Sequence, residues 1–171
     1  MTLTRLRSLP AVALLALTAA TLTLVAPSPA QAAPSGKFAG MHKARTADEK
    51  AAVRTVRKYN AAAVAGDGAA VCEHYTKKGQ MAAVSTAAMF YKTSPNATCG
   101  EAMNVVYAKL EEYGFPQLKM RQARVKKLTS KTARVGYRTP GTAEMAPSRE
   151  WVGLVKKNGI WYLNGASGTS F

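Results

Sequence analysis

The amino-acid sequence predicts an α+β domain in which N-terminal helices pack on one face of a curved, mainly antiparallel sheet. Three observations carry this expectation. Apolar residues recur every three or four positions from Thr46 to Tyr113, and from Leu118 onwards they alternate instead. Between the last two alternating runs stands Asn158-Gly159, a two-residue hairpin turn whose positions both need positive φ.

The elements follow in order. Thr46-Ala-Asp-Glu49 is a capping box, in which hydroxyl and carboxylate each satisfy a free backbone N–H at a helix start. Val53, Val56, Asn60 and Val64 then lie at helical spacing, and Gly66 stops that helix. Asp67 caps a second, shorter helix that runs through Val71, Cys72 and Tyr75 to a stop at Gly79. Gln80 to Thr98 fits a short helix or a strand, and the pattern does not choose between them. After the Ser94-Pro95-Asn96 turn, Ala102, Val105, Val106, Leu110 and Tyr113 form another helix, ended by Gly114 and Pro116. Four strands are read over 118–128, 131–139, 149–156 and 160–165. Parity in the first slips between Met120 and Ala123, which a bulge would absorb.

The N-terminus reads as an export signal. Arg5 and Arg7 precede an uncharged run from Leu9 to Val25, and Ala30-Gln31-Ala32 is an A-x-A cleavage site. The expectation is a secreted protein cut after Ala32, with a flexible leader over 33–45 and one α+β domain over 46–171. The 139 residues from Ala33 to Phe171 suffice for one self-supporting core and not for two. The chain holds two cysteines, Cys72 and Cys99, and in an oxidising compartment they most economically pair with each other. Closing that loop would remove roughly 3.5 kcal/mol of chain entropy from the unfolded state. Zinc is the rival use, but Cys99 has no second ligand at metal spacing, so no metal is expected.

Without Arg5 and Arg7 the chain carries 22 basic residues against 9 acidic ones, a balance of +13. Such a balance favours an anionic cell-wall polymer or lipid surface, and it also serves solubility alone. Nucleic acid is not expected for an exported protein. Half of the basic charge falls between Lys119 and Lys157, with Arg121, Arg124, Arg134 and Arg138 as the candidate binding residues. Arg134 and Arg138 share a strand parity opposite to Ala133, Val135 and Tyr137, which face the core. Charged residues on strands also blunt edges against aggregation, without any ligand.

Ala65-Gly-Asp67, Ala70-Val-Cys72, Cys99-Gly-Glu-Ala102 and the closing run Glu150-Trp-Val-Gly-Leu-Val-Lys-Lys-Asn-Gly-Ile-Trp-Tyr-Leu163 together resemble the small exported bacterial proteins of the nuclear transport factor 2-like superfamily. The resemblance spans Thr46 to Gly165. It implies a cone, with a bent sheet wrapped around helices and often a pocket at the open end. Members include isomerases, dehydratases and cyclases, and also domains that only bind or dimerise, so fold does not give function.

An enzyme would need an acid or base in that pocket. The candidates are Asp67 and His74, although Asp67 already serves as a helix cap and a lone His is more often a packed or surface residue. Neither an Asp-His pair on the strands nor a Gly-x-Ser-x-Gly turn occurs, and no cofactor is implied. The sequence therefore points to a noncatalytic binding module for an anionic surface or ligand. The alternatives are a small-molecule enzyme of isomerase, dehydratase or cyclase type, and a self-associating module, for example a homodimer through the sheet. Intact mass of secreted material should match a chain that starts at Ala33 and is two hydrogens lighter than its reduced form; a start at Met1 would remove the export reading.

Overall fold

A computed structural model describes residues 39–114, 117–141 and 146–170. The export segment, residues 33–38 of the leader and Glu144 lie outside these. Four helices come first, α1 (Ala47–Val64), α2 (Gly68–Glu73), α3 (Lys77–Tyr91) and α4 (Cys99–Glu112). Four strands follow, β1 (Arg121–Lys127), β2 (Thr132–Thr139), β3 (Ser148–Lys157) and β4 (Ile160–Ser170), and they pair antiparallel in the order β1-β2-β3-β4. The α+β expectation holds.

Local chemistry sets the helix starts. Thr46 and Glu49 form both halves of the capping box on α1, and Thr98 and Glu101 do the same on α4. Asp67 accepts the Ala70 N–H at 2.9 Å and so caps α2. Two helix boundaries differ from the sequence reading. The second helix stops at Glu73, because residues 74–76 leave the helical path to pair with β4: Leu163 N–H donates to the His74 carbonyl and Thr76 N–H to the Leu163 carbonyl. Gly79 then stops nothing. It stands in the first turn of α3, capped by Thr76, where a Cβ would come within 2.7 Å of the Tyr75 ring. Of residues 80–98, which the pattern left open, 80–91 belong to this helix.

The sheet keeps the predicted parity. Val125, Val135, Val152 and Leu154 face the helices, and with Ala52, Val53 and Val56 of α1 they form the main core. Burying each Val or Leu there contributes about 1.5–3 kcal/mol. The β1 bulge falls between Arg121 and Arg124, with Gln122 at φ 49°, and Asn158-Gly159 adopts φ 48° and 81° at the hairpin. β4 runs beyond Gly165 to Ser170, since an irregularity opposite Val152/Leu154 absorbs Gly165 at φ 86° and pairing resumes after it. His42 pairs with Val125 on the free edge of β1, in both hydrogen-bond directions.

Two polar clamps fix α1 on the sheet. At its first turn, Asp48 binds Lys156 at 2.7 Å, Lys127 at 3.0 Å and the Trp161 indole N–H at 3.0 Å. Further along, the buried Asn60 amide donates to the Leu118 carbonyl at 3.1 Å and accepts the Met120 N–H at 2.8 Å. Behind α1, a second apolar cluster of Ala63, Val71, Cys72, Met103 and Tyr107 joins α1, α2 and α4. There α2 and α4 cross closely. A Cβ on Gly68 would lie 2.3 Å from the Gly100 carbonyl oxygen, and the Gly68 N–H reaches Asn104 Oδ1 at 2.7 Å. The Cys72–Cys99 disulfide ties the same crossing, with Cα atoms 6.0 Å apart.

Two stability outcomes follow. Cys72→Ser should lower stability by about 2–5 kcal/mol, as for a native bridge in a small domain; equal melting temperatures with and without reductant would refute it. The lysine ammonium groups, Lys156 foremost, hold the Asp48 carboxyl down at about 2 against an ordinary 3.8. A carboxylate with a depressed folded-state pKa stabilises above its unfolded value and loses that contribution as pH falls through the folded one. The stability gap between the native chain and Asp48→Asn should therefore be full above pH 3.8 and close as pH drops through about 2, measured by denaturant titration. A gap unchanged down to pH 2 would break this assignment.

Candidate functional site

The outer face of the sheet, opposite the helices, is a field of arginines. Antiparallel pairing places Arg121 opposite Arg138, and Arg138 opposite Arg149, so three guanidinium groups from three strands share one row. Arg124 stands opposite Gly136 in the next row, beside Trp151. Arg134 follows, with its guanidinium 4.9 Å from the centre of the Trp151 ring. Like charges directly opposite one another destabilise a sheet. Among the described residues no acid stands on this face, since Glu150 is the sole acidic residue on the four strands and it shares the inward parity of Tyr137. Among the described residues, Arg121, Arg124, Arg138 and Arg149 make no ion pair. All four are exposed. Arg124, Arg138 and Arg149 line a groove of about 260 Å³ with Gly136 and Gln122, walled by Met41 of the leader.

A second groove, of about 780 Å³, lies between the leader, α1 and β1. It is also basic, lined by Lys43, Lys50, Arg54, Arg57 and Arg124. Lys50, Arg54 and Arg57 follow helical spacing along one exposed flank of α1, where like charges repel. The acids of the same helix are engaged elsewhere. Asp48 is clamped as above, and Glu49 accepts the Arg45 and Thr46 N–H groups, which pull its carboxyl below the usual range.

Facing inward, Glu150 accepts from the Tyr137 hydroxyl at 3.0 Å through one oxygen. Its other oxygen accepts from Thr139 at 3.1 Å or from Ser148 at 3.3 Å. Burial and the adjacent carboxylate push the Tyr137 hydroxyl up, so it stays a proton donor. Nearby, Tyr59 and Tyr75 meet edge to face at 5.7 Å, and the buried Tyr107 hydroxyl has no hydrogen-bond partner among the described residues. Thr139 and Ser148 also bond each other at 2.6 Å, so one of these hydroxyls gives its proton to the other and the carboxylate is held by two neutral donors, one on each oxygen.

The sequence-predicted residues divide accordingly. Arg121, Arg124, Arg134 and Arg138 do share one face, although Arg134 is partly spent on Trp151. Asp67 is an exposed helix cap with its carboxylate turned to the Ala70 N–H. His74 is the C-cap of α2, with its pKa lowered by burial. Cys72 and Cys99 are the disulfide. Among the described residues no group of three or more His, Cys, Asp or Glu is placed to hold a metal, and no helix is long and apolar enough to cross a membrane. Sequence reasoning missed Arg149 as a member of the arginine row, the α1 cations as a groove wall, and the Tyr137–Glu150 pair. The parity of Arg149 was readable, but its alignment with Arg138 depends on register, which spacing does not encode.

No family model and no curated protein matches the chain. Two solved structures are similar to it at low identity. One is an NTF-2-like protein of unknown function from Shewanella oneidensis MR-1, 16% identical with a TM-score of 0.44, covering 70% of this chain and 95% of that one. The other, from Xanthomonas campestris, is described as a calcium/calmodulin dependent protein kinase II association domain; it is 17% identical with a TM-score of 0.40, covering 74% and 88%. The α+β architecture rests on the elements of this chain.

Proposed function

We propose that the domain is a noncatalytic binding module, exported from the cell, whose outer sheet face engages an anionic polymer or surface. The observation that supports this best is the cross-strand row Arg121–Arg138–Arg149, like charges at neighbouring strand positions with no acid on the face among the described residues. A sheet that needed only solubility could space its cations or alternate them with acids. An anion bound across the row would relieve the repulsion and accept paired N–H donors from each guanidinium. Self-association face to face would bring like arginines together, which argues against that use of this surface.

One observation favours a second reading, a pocket-using enzyme of isomerase, dehydratase or cyclase type. Glu150 is an ionisable group on the inner face, next to the tyrosine hydroxyls. A carboxylate offers about four lone-pair sites, so Tyr137 on one oxygen and Thr139 or Ser148 on the other leave Glu150 able to accept a substrate proton, and its geometry is compatible with this reading. The binding reading is preferred because the arginine row is the more specific arrangement.

The test is cosedimentation with anionic vesicles and with purified anionic cell wall, at low and high salt. Because the screening length is about 8 Å at physiological ionic strength, binding through exposed arginines should be strong at low salt and fade at high salt. Arg138→Glu/Arg149→Glu should abolish most of it, whereas Lys77→Glu/Lys78→Glu, with the same charge change at the exposed start of α3, should not. Equal loss in the two variants would reduce the arginines to a solubility feature.

A further inference from the structure

The two basic grooves meet. Gln122 and Arg124 line both, the first groove opening on the outer sheet face and the second between β1, the leader and α1. Their junction is the β1 bulge, where Gln122 takes φ 49° and the strand bends at the margin of the sheet. Basic side chains therefore continue around the β1 edge, from Arg149 and Arg138 through Arg124 to Arg57, Arg54 and Lys50.

This continuity bears on what kind of anion fits. The outer row crosses three strands, about 10 Å at the usual strand spacing. The α1 cations belong to a different layer, since α1 packs on the inner face of the sheet through Ala52, Val53 and Val56. A flat surface that touches Arg138 and Arg149 is turned away from the flank of α1. A flexible chain with a charge at each repeat reaches both sides by bending at the edge. Each half of the track is an array of like charges without an ion pair among the described residues, at cross-strand neighbours on the sheet and at i, i+4 and i+7 on the helix. Both are relieved together by one linear polyanion. The high share of arginine suits phosphate oxygens, which the guanidinium fork binds in pairs.

We propose that residues Lys50, Arg54, Arg57, Arg124, Arg138 and Arg149 form one bent track for a linear phosphate-bearing polymer, which wraps the β1 edge at the bulge. The proposal rests on the reading of the outer face as an anion-binding surface and adds the α1 flank and the chain-like ligand to it.

Inorganic polyphosphate of graded length is the probe, with fluorescence anisotropy on the disulfide-bonded protein as the measurement and anionic vesicles as a parallel arm. Affinity should rise steeply with length until the chain spans both grooves, because the second groove is then filled intramolecularly. Arg54→Glu/Arg57→Glu and Arg138→Glu/Arg149→Glu should each weaken long-chain binding by about tenfold or more, since either removes one arm of that linkage. Each should also flatten the slope of log affinity against log salt by about 1.4, on the scale of 0.7 per phosphate for single strands. For vesicles, only the outer-face pair should matter. Thermal melting checks that both variants fold, and both pairs are exposed. If Arg54→Glu/Arg57→Glu leaves polyphosphate affinity and salt slope unchanged while Arg138→Glu/Arg149→Glu lowers both, the track is wrong and the outer-face reading stands. Should neither variant alter binding to polyphosphate or vesicles, both readings fall. Equal losses of vesicle binding in the two variants would also overturn the track, because a plane would then be touching both sides.

Discussion

Everything in this domain depends on α1 being held across the inner face of the sheet by polar groups at two points along its length. Asp48 gathers Lys127, Lys156 and Trp161 from three strands, and Asn60 saturates the backbone entering β1. Apolar contacts alone would let a helix with so many alanine and valine contacts slide on a smooth sheet, since dispersion and burial are weakly directional. The two clamps fix its position and rotation. They also decide which α1 side chains are left outside, and those are Lys50, Arg54 and Arg57, beside β1.

Structural duties of the acids go with an outer sheet face that holds none among the described residues. Acidic residues are drawn into structural duties: Asp48 in its clamp, Glu49 and Glu101 in capping boxes, Asp67 at α2, Glu150 beneath Tyr137, Glu112 on Lys109. Each such duty offers the carboxylate hydrogen bonds or a cation at close range. The arginines of the outer face receive no comparable partner. Charge asymmetry here is a matter of placement as much as of composition. A composition of +15 could be spread evenly; this one is concentrated along β1, its neighbours and the flank of α1.

A third constraint links the layers. Residues 74–76 leave the helical path, pair with β4, and turn at once into α3, with Gly79 giving room for Tyr75. Tyr75 then bridges the two apolar clusters through Tyr59. Together with the Cys72–Cys99 bridge at the Gly68/Gly100 crossing, this fastens the α2–α4 layer to the sheet and to α1. The helical half is small and its exposed face is rich in apolar residues such as Met81, Met89 and Phe90, so such covalent and backbone ties matter more than burial there.

Local signals were legible in the sequence. The Thr46–Glu49 box, the Asp67 cap, the Asn158-Gly159 turn and the slip near Gln122 are each determined within a few residues, because caps and turns close hydrogen bonds with near neighbours. The strand parity that sends Arg134 and Arg138 outward needed only the period of two. By itself, then, the chain determined its α+β class, the starts of α1 and α2, its hairpin and the face on which its arginines stand. The end of α2 was not legible, because Leu163, almost ninety residues away, takes the backbone of residues 74–76. Nor was the α3 helix, whose alanine-rich pattern suits either state until α4 and β4 supply a surface. The row Arg121–Arg138–Arg149, the inward Tyr137–Glu150 pair and the meeting of two grooves at Arg124 were decided by tertiary structure alone. They depend on register between strands and on where α1 is clamped, and those are set by contacts between residues distant in the chain, which local periodicity does not record.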